Sequence, residues 1–204
     1  IAGGIGNDIG IDSDYTAIGG GGNNNIAANS WYATIAGGHG NDIGIDSGWS
    51  AIGGGAGNNI APNSDYATIP GGESNSATNY AFAAGRRAKA NHLGAFVWAD
   101  SSNYDFASTA ANQFNVRAVG GVRIITGING SGTPDRGVSL NLDGTSWNVI
   151  SDRSAKKNFR PADGREILER LARVPIEHWN YKWETDDAVP HLGRQGPRRQ
   201  RERK

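Results

Sequence analysis

The residues with the most chemistry to offer in the first part of this sequence are four carboxylates and a column of aromatic rings. Asp8 with Asp12, and Asp42 with Asp46, recur as regular pairs. Paired carboxylates across a groove are what a glycan hydrolase uses as acid and base. GGIGND (Gly3 to Asp8) and GGHGND (Gly37 to Asp42) also match part of the calcium-binding nonapeptide GGxGxDxUx, in which turns and carboxylates cage a hard cation. The spacing weighs against both readings. The apolar position of the nonapeptide falls on Gly10 and Gly44, and the alternate copies carry Asn25 and Asn59 in place of Asp. An active site is built once, whereas these carboxylates recur, so they read as corner residues bonding their own turns. His39, His92, His178 and His191 lack metal-ligand spacing, and the chain has no Cys. No metal and no cofactor is expected.

Tyr15, Tyr32, Trp49 and Tyr66, with neighbouring Trp31, offer a different chemistry. They form either a strip on which sugar rings stack or a packed ladder within an assembly, and solvent exposure separates the two. Arg86, Arg87 and Lys89 read as a solvated or interchain salt-bridged collar rather than an anion site.

The elements that would hold these groups follow from a repeat. A seventeen-residue unit begins at Ile1, Ile18, Ile35 and Ile52, and a fifth copy at Ile69 decays. Unit position 1 is always Ile, position 9 is Ile (Ile9, Ile26, Ile43, Ile60), and position 15 is aromatic. Gly-Gly pairs at positions 3 and 4 would cost a helix about 1 kcal/mol per Gly, and the unit is too short for a helix pair. It suits one coil of a parallel β-solenoid, with a rise of about 4.8 Å and with Gly and Asn at corners where φ is positive. Each coil then encloses only two or three apolar side chains, each contributing about 1.5–3 kcal/mol, against a glycine-rich backbone that is costly to order. Lateral association of three copies around an apolar seam would supply what one copy lacks, so a homotrimeric fibre is expected.

The formal net charge is zero, yet residues 1–85 hold seven acids and no Lys or Arg, while residues 151–204 hold nine acids and fourteen bases. No apolar run is long enough to span a membrane. The chain starts without Met or a leader, which reads as part of a longer protein. After residue 85 the period slips. Ala95 to Trp98 reads as a cap on the solenoid, and Gln113 to Ile128 and Gly137 to Ile150 as short antiparallel strands around a Gly127 to Gly137 loop. Residues 163–174 read as a helix with Asp163 as N-cap, Glu166 as capping-box partner, and Ile167, Leu168, Leu171 and Ala172 on one face; Pro175 ends it. Trp179, Tyr181 and Trp183 share one face of a following strand. The tail GRQGPRRQRERK reads as disordered. Its charge lacks the aromatic interleaving of a nucleic-acid reader.

Two stretches carry a resemblance. Ile1 to about Ser101, with its GGGxGN, NSxYATI and AFAAGRRAKANH phrases, resembles the head repeats of trimeric autotransporter adhesins of the left-handed β-roll type. Ser151 to Lys182 resembles the start of the endosialidase-type intramolecular chaperone domain. The second resemblance implies that Ser151 attacks the Ile150–Ser151 peptide bond, with Lys156 as its base, and that the released chaperone leaves a locked trimer. A Lys serves as that base when desolvation lowers its pKa. Ala155 departs from the family's large aliphatic residue. The resemblance stops at His191 to Gly193, so the domain reads as partial.

The expected architecture is mainly β: a parallel β-solenoid head over 1–85, a capping and β-rich shoulder over 86–150, a partial chaperone domain over 151–193 and a basic tail over 194–204. The expected function is that of a structural, adhesive, homotrimeric surface fibre, outside the cell or on a virion. Self is the first partner and a host glycan or receptor the second, and any enzymatic activity is limited to one self-cleavage. A phage or prophage tail fibre with a receptor- or glycan-binding role is the alternative, and a solenoid glycan hydrolase a more distant one.

Overall fold

The repeat folds as its columns require. The computed structural model describes residues 1–151, 156–174, 176–180, 185 and 191–193, in two units, Ile1–Ser151 and Asp152–Lys204. In the first unit each repeat contributes one rung to each of two parallel sheets. The first sheet runs from Ala17–Ile18 through Thr34–Ile35, Ala51–Ile52 and Thr68–Ile69. The second runs from Asp8–Ile9 through Asn25–Ile26, Asp42–Ile43 and Asn59–Ile60. Register is fixed Ile on Ile, with Ile18, Ile35, Ile52 and Ile69 in one column and Ile9, Ile26, Ile43 and Ile60 in the other. From Ile18 onward both columns are buried in one core.

The interior is not only isoleucine. Asn24, Asn41, Asn58 and Asn75 are fully buried and bond along the axis. Asn58 Nδ2 donates to Asn41 Oδ1 and to the Gly54 and Gly72 carbonyls, while Asn58 Oδ1 accepts from the backbone N–H and Nδ2 of Asn75. A second polar column, Ser30, Ser47 and Ser64, passes hydroxyl bonds from coil to coil. These side chains satisfy the corner carbonyls and amides that a narrow coil has no room to hydrate. At unit position 4 only Gly fits. Gly55 has φ +87°, and a Cβ there would lie 2.1 Å from the Gly72 carbonyl oxygen. The aromatic column shares the left-handed region with Gly and Asn: Tyr15, Tyr32, Trp49 and Tyr66 have φ between 53° and 59°.

The solenoid does not stop where its period slips. Phe82–Arg86, Phe96–Ala99 and Phe114–Arg117 continue the first sheet in parallel, and Ser76–Ala77, Ala88–Ala90 and Phe106–Ala107 continue the second. Phe96 is therefore an internal rung rather than part of a cap, and Phe114 belongs to the last rung rather than to an antiparallel strand. The spacing changes because the corners change length while the rungs hold register. Thr68, Phe82, Phe96 and Phe114 pair in succession at separations of fourteen, fourteen and eighteen residues. The Phe82, Phe96 and Phe114 rings stack at centroid distances of 4.7 Å.

Val122–Ile128, Pro134–Leu140 and Asn148–Ser151 then form an antiparallel three-stranded sheet, with a loop shorter than the Gly127 to Gly137 expectation. Asp100 fixes the turn that precedes it, accepting from the Val119 and Ser102 amides and from Arg117 Nε. These donors, the Val119 amide foremost, hold its carboxyl well below the usual carboxylate range.

In the second unit the helix is Gly164–Ala172. Asp163 caps it as expected, accepting from the Arg165 and Glu166 amides, but the Glu166 carboxylate pairs with Arg170 instead of closing a capping box. Its apolar face is exposed at Ile167, Leu168 and Leu171. Glu177–Trp179 pairs antiparallel with His191–Gly193. Pro175, Tyr181, Trp183 and the tail 194–204 lie outside the described residues. No helix among the described residues is long and apolar enough to cross a membrane.

Candidate functional site

The turns at unit positions 14 and 15 carry the aromatic column along one edge of the solenoid. Tyr15, Tyr32, Trp49 and Tyr66 stack face to face at 4.8, 5.7 and 5.3 Å, and Tyr80 extends the stack at 5.1 Å from Tyr66. The column is at once a ladder and a surface, for each of these five rings is between 47% and 78% exposed. Left-handed backbone costs a bulky residue about 1–2 kcal/mol. Stacking of about 0.5–1.5 kcal/mol per pair offsets it.

Beside this ladder, unit position 14 reads Asp14, Trp31, Gly48 and Asp65 in successive coils. Trp31 stands out from the edge with its Nε1–H donating to the Asp12 carbonyl. The next coil has no side chain at this position. The result is a cleft of about 330 Å³ lined by Asn29, Trp31, Asp46, Gly48, Trp49 and Asp65. Asp65 Oδ1 accepts from the Gly48 amide at 2.8 Å, which fixes that carboxylate at the cleft.

The four recurring carboxylates divide. Asp12 and Asp46 occupy turns with φ of 54° and 55°, as corner residues should. Asp8 and Asp42 do not. They lie on rungs of the second sheet, and Asp42 Oδ1 accepts from Asn25 Nδ2 of the preceding coil at 2.6 Å. No group of three or more His, Cys, Asp or Glu side chains placed to hold a metal occurs among the described residues. The basic collar pairs within its own chain: Arg86 with Glu73 at 3.2 Å and Arg87 with Asp105 at 2.8 Å, while Lys89 Nζ donates to the Ser74 carbonyl.

Two apolar surfaces are left partly open among the described residues of the first unit. The outer face of the first sheet begins with small residues, Ala17, Thr34, Ala51 and Thr68 alternating with the buried isoleucines, and widens to Phe82, Phe96 and Phe114. In the three-stranded sheet, Val122 faces Leu140, Ile124 faces Val138, and Val138 faces Val149. Alternation puts all five on one face. Ile124 is 52% and Val149 75% exposed.

Ile150 and Ser151 end the third strand of that sheet, with Ser151 opposite Arg136. Lys156 belongs to the second unit and is exposed. Residues 152–155 lie outside the described ones.

The Asn and Ser interior columns have a signal in the sequence at unit positions 7 and 13, where Asn7, Asn24, Asn41, Asn58 and Asn75, and Ser13, Ser30, Ser47 and Ser64, never vary. The cleft has one too, in the Gly that interrupts position 14.

A family model described as the chaperone of endosialidase matches residues 151–194. No curated protein and no solved structure matches the chain. The chain thus joins a parallel β-solenoid to a segment similar to the chaperone of endosialidase.

Proposed function

We propose that this chain is a segment of a homotrimeric extracellular fibre, on a cell surface or a virion, whose C-terminal portion assists assembly. The observation that carries the reading is the apolar face of Val122, Ile124, Val138, Leu140 and Val149, on which Ile124 and Val149 are exposed and the other three half-buried. A three-stranded sheet with such a face needs packing against something. The outer face of the first sheet favours further copies of the chain as that something. Its columns rise by about 4.8 Å per coil, and a parallel copy repeats with the same rise. Similarity of residues 151–194 to the chaperone of endosialidase supports an assembly role. Replacing Ile124 and Val149 together by Asp tests this. The native mass falls to that of one chain while the coils keep their β circular dichroism, whereas an unchanged mass would place the contact elsewhere.

Processing follows from the same reading. The Ser151 hydroxyl adds to the Ile150 carbonyl carbon and passes its proton to the Lys156 amine. The peptide bond breaks to give an Ile150 ester and a free Ser151 amine, and water then hydrolyses the ester. The exposure of Lys156 in one chain suits a base that becomes effective only when assembly desolvates it, which makes cleavage report trimer formation. Ser151→Ala abolishes the shorter product on a denaturing gel, and a variant processed like the parent would exclude the dyad.

A second reading concerns ligand binding. The exposure of Tyr15, Trp31, Tyr32, Trp49 and Tyr66 favours a strip on which glycan rings stack. On a panel of neutral oligosaccharides, Trp49→Ala and Tyr66→Ala weaken binding several-fold, and equal binding by parent and variants would remove the strip. The tail-fibre role shares every one of these features and differs in what lies around the segment.

A further inference from the structure

The cleft at Gly48 brings two carboxylates, Asp46 and Asp65, to the aromatic edge. Trp31 supplies an indole wall on one side, Asp65 a carboxylate on the other, and Asp46 and Asn29 the rim. Lys and Arg are absent before Arg86, so none is available within these coils to neutralise the two carboxylates. An acidic cleft with an aromatic wall attracts a cation through the charge and through the ring quadrupole together. Sulfated or carboxylated sugars meet repulsion there, and neutral sugars gain only from stacking and hydrogen bonds.

We infer that the Gly48 cleft is a binding site for an amine-bearing saccharide, a sugar whose protonated amino group lies between Asp46 and Asp65 while its apolar ring face stacks on Trp31. The inference rests on the reading of the aromatic column as a ligand strip and gives that strip one place of selectivity. Gly48 is the one gap in the series Asp14, Trp31, Gly48, Asp65, and the smaller cleft of Asp14, Tyr15, Trp31 and Tyr32 on the other side of Trp31 has one lining carboxylate instead of two. Gly48 is also what lets the coils close here, since a Cβ there would lie 3.0 Å from the Trp31 carbonyl oxygen and 3.5 Å from Asp65 Oδ1. The Asp65–Gly48 bond keeps one carboxylate oxygen engaged and aims the group at the opening.

The test uses the whole chain, a short chitosan oligomer with free amines, and its fully N-acetylated counterpart, titrated in mildly acidic buffer with tryptophan fluorescence as readout. The free-amine oligomer binds about tenfold or more tighter than the acetylated one, and added salt narrows the gap. Asp46→Asn with Asp65→Asn removes that preference, bringing the free-amine oligomer down to the affinity of the acetylated one. Both substitutions are mild. Asn already stands at the turn position of Asp46 in Asn29 and Asn63, and with Asp65→Asn the side-chain amide oxygen can still accept from the Gly48 N–H. Trp31→Ala weakens both oligomers. Equal affinity of the parent for the two oligomers overturns the inference while leaving the strip standing. A preference that persists in the double Asp variant overturns the location. Failure of the free-amine oligomer to bind a folded parent overturns the site itself, whatever neutral glycans do along the rest of the ladder.

Discussion

In the coils from Ile18 to Asn75, the isoleucine, asparagine and Ser30–Ser47–Ser64 columns meet their own kind one coil away, while a further inward column alternates Ala33, Ser50 and Ala67. In the sheet of Val122–Ile128, Pro134–Leu140 and Asn148–Ser151, the apolar face stays partly open among the described residues of its unit, with Ile124 52% and Val149 75% exposed. The repeat supplies its own partner along the axis, so the coils close their interior alone. The sheet has no such neighbour, and its need is lateral. The expectation that each coil encloses only two or three apolar side chains left the inward Asn and Ser columns out of the interior. What a single chain leaves open is its outer apolar surface.

That contrast can be broken in the coils first. Asn58→Ala strands the Gly54 carbonyl and the Asn75 amide in a dry interior and leaves the Gly72 carbonyl with the Ala56 amide alone. At about 1–3 kcal/mol for each buried unsatisfied group, a loss of roughly 3–5 kcal/mol is expected in denaturant melts. Gly55→Ala sets a Cβ against the Gly72 carbonyl at positive φ and costs about 2–4 kcal/mol. Tyr66→Ala removes two stacking contacts and keeps the left-handed backbone, for a loss of about 1–2 kcal/mol. The smallest effect sharpens the boundary between the two regions. Asp100 has a depressed pKa in the folded state, so its contribution is full above its unfolded pKa of about 3.9 and fades as pH falls below that value. Parent and Asp100→Asn should differ in melting temperature at neutral pH and converge in acid. A constant difference would mean the carboxylate's charge is idle.

The ladders, the helix start at Asp163 and the antiparallel pairing beyond Val122 were legible because each leaves a period or a cap in the residues. The last coils were not. Between Thr68 and Phe114 the corners lengthen and shorten, and a fixed period is lost although the rungs stay stacked. Of the site, the aromatic column was plain. The inward Asn column was hidden, since an Asn beside Gly reads as a corner, and only the carbonyls around it reveal that it faces in. Asp8 and Asp42 defeat the same reasoning in reverse, as strand residues among apparent turns.

Lateral self-association is the claim on which the fibre reading, the assembly role and the timing of cleavage depend. Light scattering on the native protein across a dilution series measures it directly. A particle three times the mass of its own denatured chain, persisting on dilution, is predicted. A folded, thermally stable single chain at every concentration would contradict the account.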